Sequence, residues 1–445
     1  MSHFQAVYVP VGVPTYHMET AQQVFEQSVA AIRSVTDACA CPDSILLSTE
    51  DVEQFLDKAE PDLVIFQNIT FANAAYMETV LHKTDCPVLL WTLPEPAGDG
   101  GRLRLNSLTG TYSAANMLHS GARGYEYLLG APDEEKVRAK LRATLHAADV
   151  RKQLNGLNLA QVGEPPEGFA FGSADAEDLR KAFGVGLVNV PAEDLMAAAR
   201  AVPDEEAAAA LAEVQSATVG MDRLPEKNRM DFARLLLVYR KFAADHNVSA
   251  LTSRCWPDFF TDYGTPVCAV LSLLTDDGIA GSCEGDAIGA LSMMLGMRLS
   301  GKPVFFGDPV AVSETENTMT FWHCGMAPAG LADPDGGAVI GVHPNRGIGP
   351  VMDFGCMPAE HVTVFRLGRQ PDGSFRLFLT SGRALKRPKQ YQGTSTVVEL
   401  LSDAGTLVDR TVRDGWEPHF VVAYEDIRTE LLALARMLRI PVCEY

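Results

Sequence analysis

The sequence predicts an α/β protein in which two tandem α/β domains are followed by a C-terminal antiparallel β-barrel-type domain. In the first part of the chain, short apolar runs such as "PDLVIFQNIT" and "CPVLLWTLPEP" alternate with helical stretches. From about residue 300, alternating strands surround glycine-containing turns. The first pattern indicates parallel sheets with helices on their faces, and the second indicates antiparallel β-structure.

The predicted N-terminal α/β domain covers residues 1–155. It opens with the β-rich "FQAVYVPVGVPTY" and the helical "METAQQVFEQSVAAIRSV", and strands and helices alternate from there. After the helical "EEKVRAKLRATLHAADVRKQL" the rhythm restarts at "GLNLAQVGEPPEGF", which places the boundary near 155. Both α/β domains are expected to be Rossmann-like in architecture. The segment "VPVGVPTYH" lacks the glycine spacing and the Lys-Ser/Thr ending of a phosphate loop.

The second α/β domain is predicted over residues 156–299 and the β-rich domain over 300–445. The second domain contains "FGVGLVNVPAEDLMAAARAV", a long helix around "DFARLLLVYRKFAADHN", and a helix that opens at Glu284. In the β-rich domain, the run "HVTVFRLGRQPDGSFRLFLTSGRAL" predicts a hairpin around "PDG". The run "TSTVVELLSDAGTLVDRTV" predicts a second hairpin around "DAG". A terminal helix is expected in "YEDIRTELLALARMLRI".

Composition excludes several classes of protein. The 445 residues are 47% hydrophobic and 21% charged, which is typical of a globular protein. A net charge of −20 opposes binding to nucleic acid or to anionic lipid, and no apolar run reaches the length of a membrane span. The nine cysteines form no CxxC pair, which favours reduced, mostly buried thiols. With no export signal visible, we expect a cytoplasmic protein.

Two acidic residues in "SCEGDAIGALSMMLGMRLSGKPVFFGDP" point to chemistry. Glu284 stands at a predicted helix start, where a carboxylate is also favoured as a simple cap. Asp308 follows "PVFFG" at the carboxyl end of a predicted strand, the usual position of ligands in α/β sheets, although a turn aspartate is the alternative. Acids at the edges of buried elements need a partner, and a metal ion is one.

Two histidines stand out from the ten in the chain. His323 lies in "NTMTFWHCG", soon after Asp308, and His419 lies in "GWEPHFVVAY", before the terminal helix. Two carboxylates and an imidazole make an oxygen-rich site that suits Mn²⁺ or Mg²⁺ better than structural zinc. The spacing leaves open which histidine binds the metal.

Several longer runs resemble the L-fucose isomerase family and its L-arabinose isomerase relatives. They are "SCEGDAIGALSMMLGMRLSGKPVFFGDP", "FWHCGMAP", "CWPDF", "GWEPHFVVAYEDIRTELLALARMLRI" and "RLNSLTGTYSAANMLHSGARGYEYLLG". The resemblance is strongest over 251–325 and at the C-terminus. It implies a divalent cation, usually Mn²⁺, with Mg²⁺ or Co²⁺ as other candidates, held by Glu284, Asp308 and His419. It also implies a homo-oligomer whose active sites lie near subunit contacts.

The expected reaction is aldose–ketose isomerisation of a small-molecule sugar through a cis-enediolate. A divalent ion beside the two substrate oxygens stabilises the enediolate, while a carboxylate removes and returns the proton. Glu284 and Asp308 are the catalytic candidates, and their assignment to C1 or C2 stays open. The sugar also stays open among L-fucose, D-arabinose and modified hexoses, including a sulfonated one. The alternatives are a non-catalytic sugar-binding or regulatory protein, and an epimerase or lyase that uses the same enediolate.

Other residues are candidates for contact with the sugar. Trp256 in "SRCWPDFF" is able to stack on a sugar face or to fill the core, and His323 to orient the substrate. Arg102 in "GGRLRLNS" is placed to reach a substrate hydroxyl or a neighbouring subunit, or is a solvated loop residue. His343 and Arg346 in "HPNRGIGP" are able to line a pocket, although glycine and proline there also suit a plain turn.

Overall fold

The computed structural model describes residues 3–445, which divide into two compact units. The first unit covers the chain up to Gln153 together with Thr429–Pro441, and the second covers Leu154–Arg428 together with Val442–Tyr445. The terminal helix therefore groups with the first unit, although nearly 300 residues separate it from that unit in the sequence. The division into three domains at 155 and 299 remains a prediction.

The first unit is built on a five-stranded parallel sheet in the order β2-β1-β3-β4-β5. Its middle strands are apolar and wholly buried because helices cover both faces of such sheets. Its strands are β1 (Ala6–Val11), β2 (Cys39–Ala40), β3 (Leu63–Asn68), β4 (Val88–Thr92) and β5 (Tyr125–Leu129). Its helices are α1 (Met18–Arg33), α2 (Thr49–Leu56), α3 (Ala74–Lys83), α4 (Ser107–Ser120) and α5 (Glu135–Leu154).

A four-stranded parallel sheet in the order β7-β6-β8-β9 begins the second unit. The strands are β6 (Asn158–Val162), β7 (Gly186–Val190), β8 (Val248–Ser253) and β9 (Ala280–Cys283). The helices are α6 (Ala176–Phe183), α7 (Ala192–Arg200), α8 (Asp204–Ala217), α9 (Glu226–Asp245), α10 (Cys268–Asp276) and α11 (Ala287–Ser300). Short helical turns lie at Ala170–Gly172, Met221–Arg223, Phe259–Tyr263 and Ala329–Leu331.

The rest of the second unit is a closed six-stranded antiparallel barrel. Its strands follow the order β14-β17-β10-β11-β16-β15, and pairing of β14 with β15 closes the ring. The elements of this part are β10 (Phe305–Ser313), β11 (Thr318–His323), β12 (Ile340–Gly341), β13 (Val351–Met352), β14 (Ala359–Arg369), β15 (Phe375–Ala384), β16 (Thr394–Leu400), α12 (Ala404–Arg413), β17 (Phe420–Ala423) and β18 (Val442–Glu444). The terminal helix α13 (Arg428–Met437) groups with the first unit from Thr429 onward. β12 pairs with β13 outside the ring, and β18 pairs in parallel with β15.

The structure confirms the two kinds of sheet and the barrel predicted from the sequence. The "PDG" hairpin is confirmed as β14 and β15, paired from Ala359 with Ala384 to Arg369 with Phe375. The "DAG" hairpin is wrong, because the residues after this turn form α12 rather than a strand. Among residues 3–445, every helix is too short or too polar to cross a membrane.

Candidate active site

The connection between β9 and α11 turns sharply at two residues of the "CEGD" motif. Glu284 has a φ of 62° and Gly285 a φ of 72°, both in the left-handed region. A side chain with a β-carbon adopts this region at a cost, and such strain is concentrated at functional positions. The alternative for Glu284 was a simple helix cap, but the cap is Asp286, whose carboxylate accepts the N–H of Gly289 at 2.7 Å. Glu284 is therefore available for other contacts.

The three residues predicted to hold a metal lie together. The Nε2 atom of His419 is 3.1 Å from Oε2 of Glu284 and 3.5 Å from Oδ1 of Asp308. His419 is 1% exposed, Glu284 17% and Asp308 30%, so the imidazole forms the floor of the site and Asp308 its open side. These side chains come from the β9–α11 connection, from β10 and from the residue before β17.

The position of Asp308 within its strand differs from the one predicted from the sequence. It is the fourth residue of the nine-residue strand β10, and not at a strand's carboxyl end. The strand belongs to the antiparallel barrel, where its partner is Trp322 on β11. The pairing of β10 with β11 slips between Pro309 and Ala311, directly after Asp308. Such irregularities redirect side chains and are frequent beside active sites.

Asp286 and Arg366 fix the orientation of the His419 ring. Nδ1 of His419 donates to Oδ2 of Asp286 at 2.9 Å, and Nε2 faces Glu284 and Asp308; Nε2 donates to Glu284 when the ring is protonated and presents a lone pair when the ring is neutral. The Arg366 guanidinium donates to both oxygens of Asp286, at 2.8 and 3.2 Å, and to the carbonyl of His419 at 2.8 Å. A carboxylate behind an imidazole is a common arrangement behind metal-binding histidines.

The carboxyl groups of the site differ in their affinity for protons. Burial opposes ionisation of Asp286, but the charge of Arg366 and the contact with His419 outweigh it and hold the pKa well below its usual range. Burial also opposes ionisation of Glu284, but the hydrogen bond from His419 and the charges of His323 and His419 together outweigh it, so that this pKa is lowered. Burial raises the pKa of Asp308. Asp308 therefore takes up a proton more readily than Glu284.

His323 also faces this site. It is the last residue of β11, and its Nδ1 accepts the backbone N–H of Cys324 at 3.0 Å. With Nδ1 accepting, a neutral ring carries its hydrogen on Nε2, and that atom is buried without a hydrogen-bond partner in the described chain. Burial lowers the pKa of His323, but Cys324, Glu284 and Asp308 outweigh it and raise the pKa to about 10. Nε2 is a donor in either state.

Trp256 contacts the site through its polar atom. Its Nε1–H donates to Oε1 of Glu284 at 3.1 Å. The guanidinium of Arg346 lies 5.3 Å from the centre of a Trp256 ring and 4.9 Å from that of Phe260. Arg346 is exposed, and the structure shows no carboxylate paired with it among residues 3–445. The pair therefore places an accessible positive charge one side chain away from Glu284.

His343 and Arg102 are placed less favourably. His343 is 2% exposed and packs edge-on against Phe260, with ring centres 5.0 Å apart, so it offers little surface to a ligand. Arg102 belongs to the first unit, where its guanidinium donates to the carbonyl of Thr15 at 2.7 Å and lies 5.9 Å from the ring centre of Tyr16. The structure brings together Glu284, Asp308, His419, His323 and Trp256, with Arg346 beside them.

The donor set fits a hard divalent cation. One oxygen of Glu284 and one nitrogen each of His323 and His419 lie within 4.8 Å of one another, and Asp308 lies beside them. In the neutral ring, the lone pair of His419 Nε2 points toward two carboxylates, which is the direction a bound cation needs. Carboxylate oxygens with one imidazole suit Mn²⁺, Mg²⁺ or Co²⁺.

Sequence reasoning missed the supporting pair of Asp286 and Arg366. Asp286 stood in the motif as a second acid, but nothing in the sequence showed that its side chain is wholly buried. Arg366 lies in "HVTVFRLG", where a charged residue occupies a strand whose neighbours are apolar and buried. A charge inside an apolar strand needs a buried partner and is the signal that was available.

Comparison with known proteins gives close relatives over the whole chain. The sulfoquinovose isomerase of Clostridium sp. (strain MSTE9) is 52% identical over 446 residues, which is 100% of both chains. The sulfoquinovose isomerases of Priestia aryabhattai and Alkalicoccus urumqiensis are 36% and 35% identical, over 100% and 98% of both chains. No protein-family model matches.

These relatives confirm the prediction of an aldose–ketose isomerase, an intramolecular oxidoreductase that acts on a sugar. Among the sugars left open by the sequence, they favour a modified hexose. They give no support to a non-catalytic binding protein. Identity at this level over the full length means that the chain belongs to the sulfoquinovose isomerase family.

Proposed function

We propose that this protein is a Mn²⁺-dependent isomerase that interconverts sulfoquinovose and the corresponding ketose. The observation that carries the proposal is 52% identity, over the full length of both chains, to a sulfoquinovose isomerase. The convergence of Glu284, Asp308 and His419 supports it independently, because aldose–ketose isomerisation needs an acid–base group beside a charge-stabilising centre. We also propose that the protein is related to the fucose- and arabinose-type isomerases.

Glu284, Asp308 and His419 are the residues that would hold the cation, with Asp286 and Arg366 fixing the imidazole from behind. When bound, a divalent cation supplies positive charge beside the two substrate oxygens that become the enediolate. His323 presents the unpaired Nε2–H to the same space and is proposed to donate to a substrate oxygen. Its proposed role is to orient the sugar.

A carboxylate of the site moves the proton between C1 and C2. Both oxygens of Glu284 have protein partners, Trp256 and His419, whereas Asp308 is more exposed and has the raised pKa. Asp308 is therefore the better placed group to accept a proton from carbon and return it to the neighbouring carbon. Glu284, held in a fixed orientation, is the alternative proton carrier.

Arg346 is proposed to recognise the sulfonate of the substrate. A sulfonate is permanently anionic, and the chain carries a net charge of −20, so a local cation is needed to receive it. Arg346 is exposed, has no paired carboxylate in the described structure, and lies on Trp256, whose indole N–H donates to Glu284. Trp256 thereby lies between the proposed sulfonate-binding residue, Arg346, and Glu284 in the reacting part of the site.

The test is turnover of a sugar panel by metal-free protein with and without added Mn²⁺. Sulfoquinovose, glucose, L-fucose and D-arabinose are supplied, and products are identified by NMR. We expect a ketose from sulfoquinovose, dependence on added metal, and solvent deuterium on the product carbon in heavy water. An epimeric aldose would identify an epimerase, and a cleaved product would identify a lyase. Full turnover after chelation would show that catalysis needs no metal.

The assembly and location belong to the proposal as well. We propose a homo-oligomer, as the resemblance to fucose-type isomerases implies, and light scattering coupled to gel filtration measures it. A reducing, cytoplasmic setting is supported by nine cysteines that are all unpaired in the described structure. Neither nucleic acid nor a membrane is proposed as a partner.

A further inference from the structure

Four thiols meet in the core of the second unit, next to the isomerase site, where the sulfur of Cys324 lies 3.3 Å from Nδ1 of His323. Cys255 follows β8, Cys268 begins α10, Cys283 ends β9, and Cys324 follows β11. All four are buried, and the first three are wholly inaccessible. Four separate segments of the chain therefore bring a sulfur atom to one place.

The sulfur atoms are close enough to share one ion. Those of Cys255, Cys268 and Cys283 lie within 4.8 Å of one another. The sulfur of Cys324 lies within 4.8 Å of that of Cys268, which joins it to the other three. Four sulfurs placed about 2.3 Å from a zinc ion are about 3.8 Å apart, so zinc binding would draw the four sulfurs together into a tetrahedron.

The neighbouring His343 is the alternative fourth group, and its hydrogen bonding argues against it. One of its ring nitrogens lies within 4.8 Å of the sulfurs of Cys268 and Cys324. Its Nδ1 accepts the backbone N–H of Asn345 at 3.2 Å, so a neutral ring carries its hydrogen on Nε2. Nδ1 is then occupied by this hydrogen bond and Nε2 carries the hydrogen, so neither nitrogen of the neutral ring has a free lone pair for a cation and the four thiols are the donor set.

We propose that Cys255, Cys268, Cys283 and Cys324 bind a soft, thiophilic cation, Zn²⁺, at a structural site distinct from the hard-cation site of the isomerase. Four thiolates with no open position are the usual donor set of structural zinc. Cys283 precedes Glu284 and Cys324 follows His323 in the chain. An ion shared by these sulfurs joins the end of β9 to the end of β11, directly beneath two residues of the isomerase site.

The first experiment measures metal in the unmodified full-length protein. The protein is produced with added zinc, treated with mild chelator and gel-filtered, and its metal content is determined by mass spectrometry. We expect about one zinc per chain to resist the treatment that removes Mn²⁺. Cobalt loaded in place of zinc should give the near-ultraviolet absorption of sulfur-to-cobalt charge transfer. A folded protein that retains no zinc and lacks this absorption would overturn the proposal without any variant.

The second experiment locates the ion. Cys255→Ser and Cys268→Ser should each reduce retained zinc at least fivefold and abolish the cobalt–sulfur absorption. Cys356→Ser is the matched control, since Cys356 is also buried in the second unit but outside the cluster. His419→Ala should leave the zinc and the absorption unchanged, which separates this site from the isomerase site. Zinc that survives both cluster substitutions lies elsewhere, and the proposal is then wrong.

Discussion

The hydrogen bonds of the two buried histidines assign them different roles. His419 donates through Nδ1 to Asp286, so its neutral ring presents a lone pair at Nε2, whereas Nε2 of His323 carries a hydrogen whether the ring is neutral or protonated. We therefore expect His419→Ala to lose bound Mn²⁺ and activity together. His323→Ala should keep most of the metal and lose activity by a smaller factor, about 10- to 100-fold. Metal content after gel filtration, measured beside turnover, checks both.

A matched control for this pair is His146→Ala, on helix α5 of the first unit, which should change neither metal content nor turnover. If His323→Ala loses the metal while His419→Ala retains it, the ligand assignment is reversed. His323 would then complete the coordination with Glu284, as the distances within that trio also allow.

The proposed role of Arg346 in binding the negative charge of the substrate can be tested by substitution. Replacing it with methionine removes the cation but keeps an unbranched side chain over the Trp256 ring. A charge-assisted contact to an anion contributes about 1.5–3 kcal/mol, so kcat/KM for sulfoquinovose should fall roughly 10- to 100-fold. Turnover of any neutral aldose accepted by the enzyme should be unchanged. Arg387→Met, at another exposed arginine of the second unit, is the control, and an equal loss on both sugars would contradict the role in sulfonate recognition.

At the scale of residues, motif reasoning found the side chains that meet but not those that support them. Glu284, Asp308 and His419 were predicted from their type and from resemblance, and the structure brings them together. The burial of His343 could not be predicted, because its environment depends on Phe260, more than 80 residues earlier. Hydrogen-bond partners across such separations are set by tertiary packing, which a local pattern does not encode.

Among the elements, the contact of helix α10 with the turn at Ala329–Leu331 depends on one acid. Asp276 accepts the backbone N–H groups of Ala329 and Gly330 at 2.7 and 3.1 Å, and burial raises its pKa to about 6. A raised pKa means that the folded form holds the proton more tightly. Its contribution to stability is therefore fully present below about pH 3.8 and is lost as the pH rises through about 6.

We expect Asp276→Asn to remove this dependence, since an amide does not titrate in this range. The melting temperature of the variant relative to the wild type should rise as the pH increases from about 4 to 7, by an amount corresponding to roughly 2 kcal/mol. Asp245→Asn, at an exposed aspartate paired with Lys241, should show no such trend. A difference that is independent of pH would mean that the Asp276 carboxyl titrates normally.

The elements themselves show where a local pattern fails. The run after "DAG" alternates enough to suggest a strand, yet it forms α12 because Asp403 caps it by accepting the N–H of Thr406. Leu407 and Thr411 then lie on one buried face at helical spacing. The "PDG" hairpin was predicted correctly because its turn signal and both flanking strands agree.

For the molecule as a whole, the path of the chain between the two units could not be predicted from the sequence. The chain enters the second unit at Leu154, returns to the first at Thr429 and passes back to the second at Val442. In the first unit, Arg436 donates to both oxygens of Glu126, at 2.8 and 3.0 Å, and Glu126 is 1% exposed. A β-carbon on Gly124 would lie 2.1 Å from the carbonyl oxygen of Met437, so the two segments are in close contact.

We therefore expect residues 1–153 alone to be less stable than residues 1–153 joined by a Gly/Ser linker to 428–441. Without the last helix, Glu126 keeps only Lys140, 3.0 Å away, as an ion-pair partner, and the backbone beside Gly124 loses its cover. Losing this ion pair together with the apolar surface that the helix buries costs on the order of 2 kcal/mol. Circular dichroism should show a cooperative transition at higher temperature for the joined chain. Gly124→Ala in the joined chain, which blocks the approach of the helix, should return the transition to that of 1–153 alone. Equal melting of all three chains would show that the last helix contributes nothing to the stability of the first unit.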